Sequence, residues 1–174
     1  MKKILLGCGE KKRDGWINID IDESVNPDYV GSATSLPFED ETIDCIDSQH
    51  MFEHLFLKEV EQALVEWSRV LKRGGELFIE LPNLDRCCEL ITKNDPETPE
   101  YNIGIIGIFG YEPIILEEKQ TNVFMMHKHG WSPRSIKVKL GEYGFHEMQV
   151  IPILQTHRVA TKYNRDFRIR AIKK

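Results

Sequence analysis

The first nine residues narrow the possibilities most. A short apolar run, Ile4-Leu5-Leu6, stops at Gly7-Cys8-Gly9. Such a run predicts a buried strand that turns sharply, since glycine supplies the backbone angles a tight turn needs. Ile17-Asn18-Ile19-Asp20-Ile21 alternates as a second strand, and Tyr29-Val30 and Ile43-Asp44-Cys45-Ile46 predict a third and a fourth. From Lys58 to Lys72, Val60, Ala63, Leu64, Trp67, Val70 and Leu71 recur at helical spacing, with Glu59, Glu61, Gln62, Glu66 and Arg69 on the wet side. Lys72 and Arg73 suit the negative end of that helix, and Gly74-Gly75 predicts a left-handed exit. Leu77-Phe78-Ile79-Glu80-Leu81 then reads as a strand closed by Pro82.

Beyond Pro82 the pattern weakens. Ile103 to Tyr111 is apolar but broken by Gly104, Gly107 and Gly110, and is assigned to a helix. Order returns at Ser132-Pro133, an N-cap followed by proline, with Ile136, Leu140 and Tyr143 as the buried stripe and Gly144 as the stop. Strands near Phe145–Ile151 and Arg168–Ile172 finish the chain. Strands alternating with helices predict an α/β fold, a mostly parallel sheet with flanking helices and an antiparallel edge hairpin. Gly7 to Gly15 is too short for a helical crossover, so the first crossover is abbreviated. Ligands of such sheets bind beyond the carboxyl ends of the strands.

With 174 residues, the chain is expected to be a single domain, 1–174, needing no covalent staples. Cys8, Cys45, Cys87 and Cys88 lack C-x-x-C spacing and read as reduced thiols. The apolar run after Lys3 is too short for a leader and nothing approaches a membrane span, so a cytoplasmic protein is expected. A net charge of −5 gives no general attraction to nucleic acid. The tail differs, with Arg158, Lys162, Arg165, Arg168, Arg170, Lys173 and Lys174 facing only Asp166. This is either a charged strand near the sheet edge or a patch for an anionic substrate.

Several segments in this order resemble the class I S-adenosylmethionine-dependent methyltransferases of the small single-domain type, which have a Rossmann-like fold. They are Leu6-Gly7-Cys8-Gly9, Gly15-Trp16-Ile17-Asn18-Ile19-Asp20, Gly31-Ser32-Ala33-Thr34-Ser35-Leu36-Pro37-Phe38, Ile43-Asp44-Cys45-Ile46, His50-Met51-Phe52-Glu53-His54 and Arg69-Val70-Leu71-Lys72-Arg73-Gly74-Gly75. The resemblance implies transfer of a methyl group from S-adenosylmethionine. Gly7, Cys8 and Gly9 would lie against its methionine portion. Asp20 would accept hydrogen bonds from the ribose hydroxyls, with Ile21 beside it and Asp22 as the alternative acid. Ser32, Ala33 and Leu36 would hold the adenine, and Ser48, Gln49 and His50 would flank the methionine end.

Three positions depart from the family pattern. Leu5 stands where an acid is usual, Ser32 stands where an acid often meets the adenine amino group, and the link after Gly9 is short. These departures keep open a catalytically silent cofactor-binding or partner-binding domain. His50-Met51-Phe52-Glu53-His54 also matches H-x-x-E-H, a zinc pattern. Its position after a buried strand favours pocket lining, and no metal is expected. A methyl sulfonium is already activated, so a base is needed only where the acceptor must lose a proton. His129, His127 and His50 are the candidates, the first two handling the acceptor and His50 orienting cofactor or substrate. Residues 84–128 are expected to form an acceptor-site or lid insertion, with a homodimer surface or core completion as alternative uses. The expected acceptor is a small polar molecule, such as a saccharide or metabolite.

Overall fold

The structure, a computed structural model, describes residues 1–110, 126–154 and 162–174. Among these residues seven strands form one sheet: β1 Lys3–Leu6, β2 Ile17–Asp20, β3 Tyr29–Val30, β4 Ile43–Gln49, β5 Leu71–Pro82, β6 Phe145–Ile151 and β7 Asp166–Lys173. They lie in the order β3-β2-β1-β4-β5-β7-β6. The first five are parallel. β7 runs antiparallel between β5 and β6 and closes the sheet as the expected hairpin. Strand order reverses beside β1, whose neighbours are β2 and β4, and that reversal opens a crevice beyond their carboxyl ends.

Among the described residues four α-helices accompany the sheet: α1 Leu57–Val70, α2 Leu84–Lys93, α3 Pro99–Phe109 and α4 Pro133–Glu142. No α-helix lies between β1 and β4, so the first crossover is indeed a bare link. Glu59 reaches back to the Phe56 N–H at 2.8 Å and secures the start of α1. The helix stops at Val70, two residues before the expected Lys72. Leu71 is fully buried with extended backbone and pairs with Ile43, so the sheet takes the chain out of the helix. Gly74 is left-handed but lies beyond that exit.

The weak region after Pro82 holds two helices, α2 and α3. Only Cys87 and Leu90 of α2 are buried, too sparse a stripe to announce a helix, although the Asn83 side chain caps it by accepting from the Asp85 N–H. Gly104 does not break α3; it admits α2, for a Cβ there would lie 2.8 Å from the Cys87 carbonyl oxygen. Tyr111 and residues 112–125 of the expected insertion lie outside the described residues, as does Arg158.

Residues in register across a sheet share a face. Ile4, Ile46, Leu77 and Ala171 stand on one, joined by Leu6, Ile19, Ile79, Leu81, Phe167 and Ile169 in the main core. Val60, Ala63, Leu64 and Trp67 of α1 and Ile136 and Leu140 of α4 pack in the same cluster. The other face carries Asn18, Leu5, Asp47, Phe78 and Arg170 in one register line, with Glu80 opposite Arg168 in the next.

The basic tail centres on β7, a charged strand near the sheet edge and one in from β6, and its buried arginines do not form an open anion patch. β7 is an interior strand, and Arg168 is buried with Nη2 2.7 Å from Asp47 and Nη1 3.4 Å from Glu80. Arg165 pairs with Asp166, Arg170 with Glu76, and Lys173 with Glu41. Arg168 and Arg170 thus meet acids of β4 and β5, strands distant in sequence. None of the four cysteines is in a disulfide; Cys8, Cys45 and Cys87 are buried and Cys88 is exposed. Among the described residues no helix is long and apolar enough to cross a membrane.

Candidate functional site

The turn after β1 is tied to the end of β2. The N–H groups of Gly7 and Cys8 both donate to the Ile19 carbonyl, at 2.9 and 3.2 Å. Gly7 and Gly9 are both left-handed, at φ 66° and 50°. Their roles differ. A Cβ on Gly7 would lie 2.5 Å from Met51 Cγ, so Gly7 is bare to let the segment after β4 pack beneath it. A Cβ on Gly9 would meet nothing within 4 Å, so Gly9 leaves open space at the crevice.

Asp20, at the carboxyl end of β2, accepts from the Gly9 N–H at 2.7 Å and from the Asp22 N–H at 3.0 Å. Each carboxylate oxygen keeps a lone pair for a further donor. Ile21, next in sequence, is 62% exposed, an apolar side chain left bare beside this acid. Asp22 accepts from the Ser24 N–H, whose hydrogen bonding holds its carboxyl below the usual range. The pairing of a bare turn, an anchored carboxylate and an exposed isoleucine fits a nucleoside-bearing cofactor. Cys8 is unfit for covalent chemistry, for burial pushes its thiol up to about 11.

The next group of candidate residues is less open than the sequence implies. The Ser32 hydroxyl accepts from the Thr34 N–H and lies 2.8 Å from the Thr34 hydroxyl. Ala33 holds the Trp67 indole through its carbonyl, at 2.9 Å. Leu36 is a core residue, and its N–H donates to Glu66. Neither its side chain nor its N–H stands free for adenine, because α1 has taken both. Ser48 is fully buried, its hydroxyl without a hydrogen-bond partner among the described residues. Gln49 turns to Asp47 at 3.2 Å.

His50 directly follows β4 in a left-handed conformation, its N–H on the Glu80 carbonyl at 3.0 Å. Its Nδ1 meets Glu53 at 3.2 Å, and its Nε2 lies 3.5 Å from Asp166. Burial works against charge on this ring. The hydrogen bond and charge of Glu53, with the charge of Asp166, nevertheless raise its pKa. His50 is thus held between two carboxylates, Glu53 and Asp166.

His127 places Nδ1 3.0 Å from the Gly107 carbonyl and Nε2 3.9 Å from Glu53. Burial lowers its pKa. His129 stands apart, its ring edge-on to Trp131 at 4.5 Å, and burial and then Lys139 lower its pKa too. It opens on a groove of about 450 Å³ lined with Leu57, Trp131, Arg134, Val138 and Lys139. The structure therefore gathers His50 and His127 around one carboxylate and sets His129 on a different wall.

Glu53 and His54 were legible only as part of H-x-x-E-H. They lie in a short 3-10 turn, Phe52–His54, so the motif's two histidines do not share a helix face. Asp47 and Glu80 went unmarked as partners of the basic tail, because Arg168 reaches them from a strand far away in sequence.

Comparison with known proteins follows the same lines. A family model described as a methyltransferase domain matches residues 13–79. No curated protein sequence matches the chain. An S-adenosylmethionine-dependent methyltransferase from Methanosarcina mazei superposes with a TM-score of 0.68 at 20% identity, covering 99% of this chain and 92% of that one. A Thermotoga maritima methyltransferase, described as a possible histamine N-methyltransferase, gives 0.62 at 18% identity, covering 99% and 82%. A putative methyltransferase from Haloferax volcanii, solved with its Trm112 activator, gives 0.59 at 14%, covering 99% and 82%.

Proposed function

We propose that the chain is a class I S-adenosylmethionine-dependent methyltransferase acting on a small polar acceptor, a reading supported by its fold and by the family match over residues 13–79. When bound, S-adenosylmethionine supplies a methyl group already activated by its sulfonium. The protein's own work is to bind and align, and good alignment contributes on the order of 7–11 kcal/mol of barrier reduction. The observation that carries this reading is Asp20, held 2.7 Å from the Gly9 N–H where strand order reverses.

In this reading Asp20 grips the ribose hydroxyls, the Gly7–Gly9 turn admits the methionine portion, and Ile21 covers an adenine face. Ser32, Ala33 and Gln49 complete the rim, while Leu36 and Ser48 support it from within. His50 orients groups at the methyl-bearing end through its charge. His129 takes a proton from an acceptor hydroxyl. It is better disposed for this than His127, whose Nδ1 is held by Gly107 and whose Nε2 turns to Glu53. Arg134 on the groove beside His129 favours a polar or anionic acceptor, such as a saccharide or metabolite.

The test is release of S-adenosylhomocysteine across a panel of sugars, hydroxy acids and amines. Acceptor-dependent release that falls about 10²-fold or more in His129→Ala, with cofactor binding kept, supports the reading. Cofactor binding without transfer to any acceptor would point instead to a silent binding domain. Unchanged transfer after replacing His50, His127 and His129 together would remove all three from the chemistry.

A further inference from the structure

We propose that Glu53, His54 and His127 form a site for a divalent first-row transition ion, Zn²⁺ in the first instance. One ligand atom from each lies within 4.8 Å of the other two. A tetrahedral ion with bonds of about 2.1 Å needs its ligands roughly 3.4 Å apart, so small side-chain rotations close the cage.

Both imidazoles are already held as metal ligands are. His54 Nδ1 lies 3.0 Å from the Met126 carbonyl and His127 Nδ1 3.0 Å from the Gly107 carbonyl. A carbonyl only accepts, so each Nδ1 carries the proton and each Nε2 keeps its lone pair. Holding the far nitrogen in this way fixes the tautomer and orients the ring for a metal. The two rings stand edge to face, 4.9 Å between centroids.

The third donor is a buried carboxylate with capacity to spare. Glu53 is 2% exposed, and its Oε2 has no hydrogen-bond partner among the described residues. Its Oε1 takes the His50 contact, so His50 supports the carboxylate from behind and is not in the cage. The pairing suggested by H-x-x-E-H is thus replaced, with His127 entering where the motif offers His50.

The two segments are clamped before any ion arrives. The Glu53 carbonyl accepts from the Lys128 N–H at 2.7 Å and the His129 N–H at 3.3 Å, fixing the segment that bears His127. His54 is half-exposed and gives a way in. Two histidines and one glutamate form a donor set that leaves coordination positions for water or an acceptor oxygen. The Met51 contact beneath Gly7 puts this site beside the proposed methyl-transfer crevice, yet the assignment stands without that reading.

The full chain, stripped with chelator and dialysed, is titrated with Zn²⁺ against a chromophoric indicator. The expected result is one ion per chain. Affinity should drop at least about tenfold in His127→Ala and in Glu53→Gln, and stay level in His146→Ala on β6. His54→Gln, at a half-exposed position, provides the decisive variant should either buried one unfold. No stoichiometric Zn²⁺ uptake, or equal loss in His146→Ala, would overturn the site. Neither result depends on whether S-adenosylmethionine binds.

Discussion

The two faces of the sheet are built on opposite principles. One is aliphatic and roofed by α1 and α4, with Ile4, Leu6, Ile46, Leu77, Ile79 and Ile169 in the main core. The other is buried by charge. Arg13, from the shortened link after β1, reaches Asp47 at 2.7 Å and lies 4.5 Å over the Trp16 ring, while Arg168 meets the same carboxylate from β7. Where a crossover helix has shrunk to a loop, long arginines close the sheet instead. Burying charge is costly, so each ion here depends on its partners.

The contrast is open to direct attack. Arg168→Ala should cost about 3–5 kcal/mol in urea unfolding, because it takes the guanidinium from buried Glu80 and leaves buried Asp47 with Arg13 alone. A loss under about 1 kcal/mol would mean that this face behaves as ordinary solvated surface. Asp47→Ala and Arg168→Ala together should fall short of the sum of the two by about 0.5–3 kcal/mol, since both remove one network. Additivity would show that the charges act independently.

Two smaller effects sharpen the comparison. Glu66 accepts from Arg69, which also holds the Leu36 and Phe38 carbonyls, and these bonds keep its carboxyl below the usual range. Glu66→Gln should cost about 1–2 kcal/mol at neutral pH. A folded value below the unfolded one stabilises above the ordinary carboxylate range and stops doing so as pH falls through the folded value. The gap between the two proteins should therefore narrow in acid; a gap independent of pH would show that charge plays no part. On the aliphatic face, Ile79→Val should cost about 0.5–1.5 kcal/mol, the loss of one methylene from a packed core. A cost beyond about 3 kcal/mol would reveal an unsuspected constraint there.

The same contrast explains what could be read from the sequence. Local signals sufficed for the strands from Ile4 to Ile46, for α1, for α4 and for the closing hairpin, because helix period, alternation and glycine turns act over a few residues. α2 escaped because two buried side chains make no stripe. The charged face escaped because Arg168 and Asp47 meet only through strand order. The turn around Asp20 was legible, since its parts lie within fourteen residues, Gly7 to Asp20. Glu53 and His127 were not legible as neighbours; the turn after β4 and the segment after residue 125 meet through tertiary structure alone.

One measurement bears most directly on the account: calorimetric titration of S-adenosylmethionine into the wild-type chain and into Asp20→Ala. Saturable one-to-one binding by the wild type, weakened at least about tenfold in the variant, is the predicted result, as removing charge-assisted hydrogen bonds costs about 1.5–3 kcal/mol. No binding by the wild type, or equal affinity in the two proteins, would contradict it.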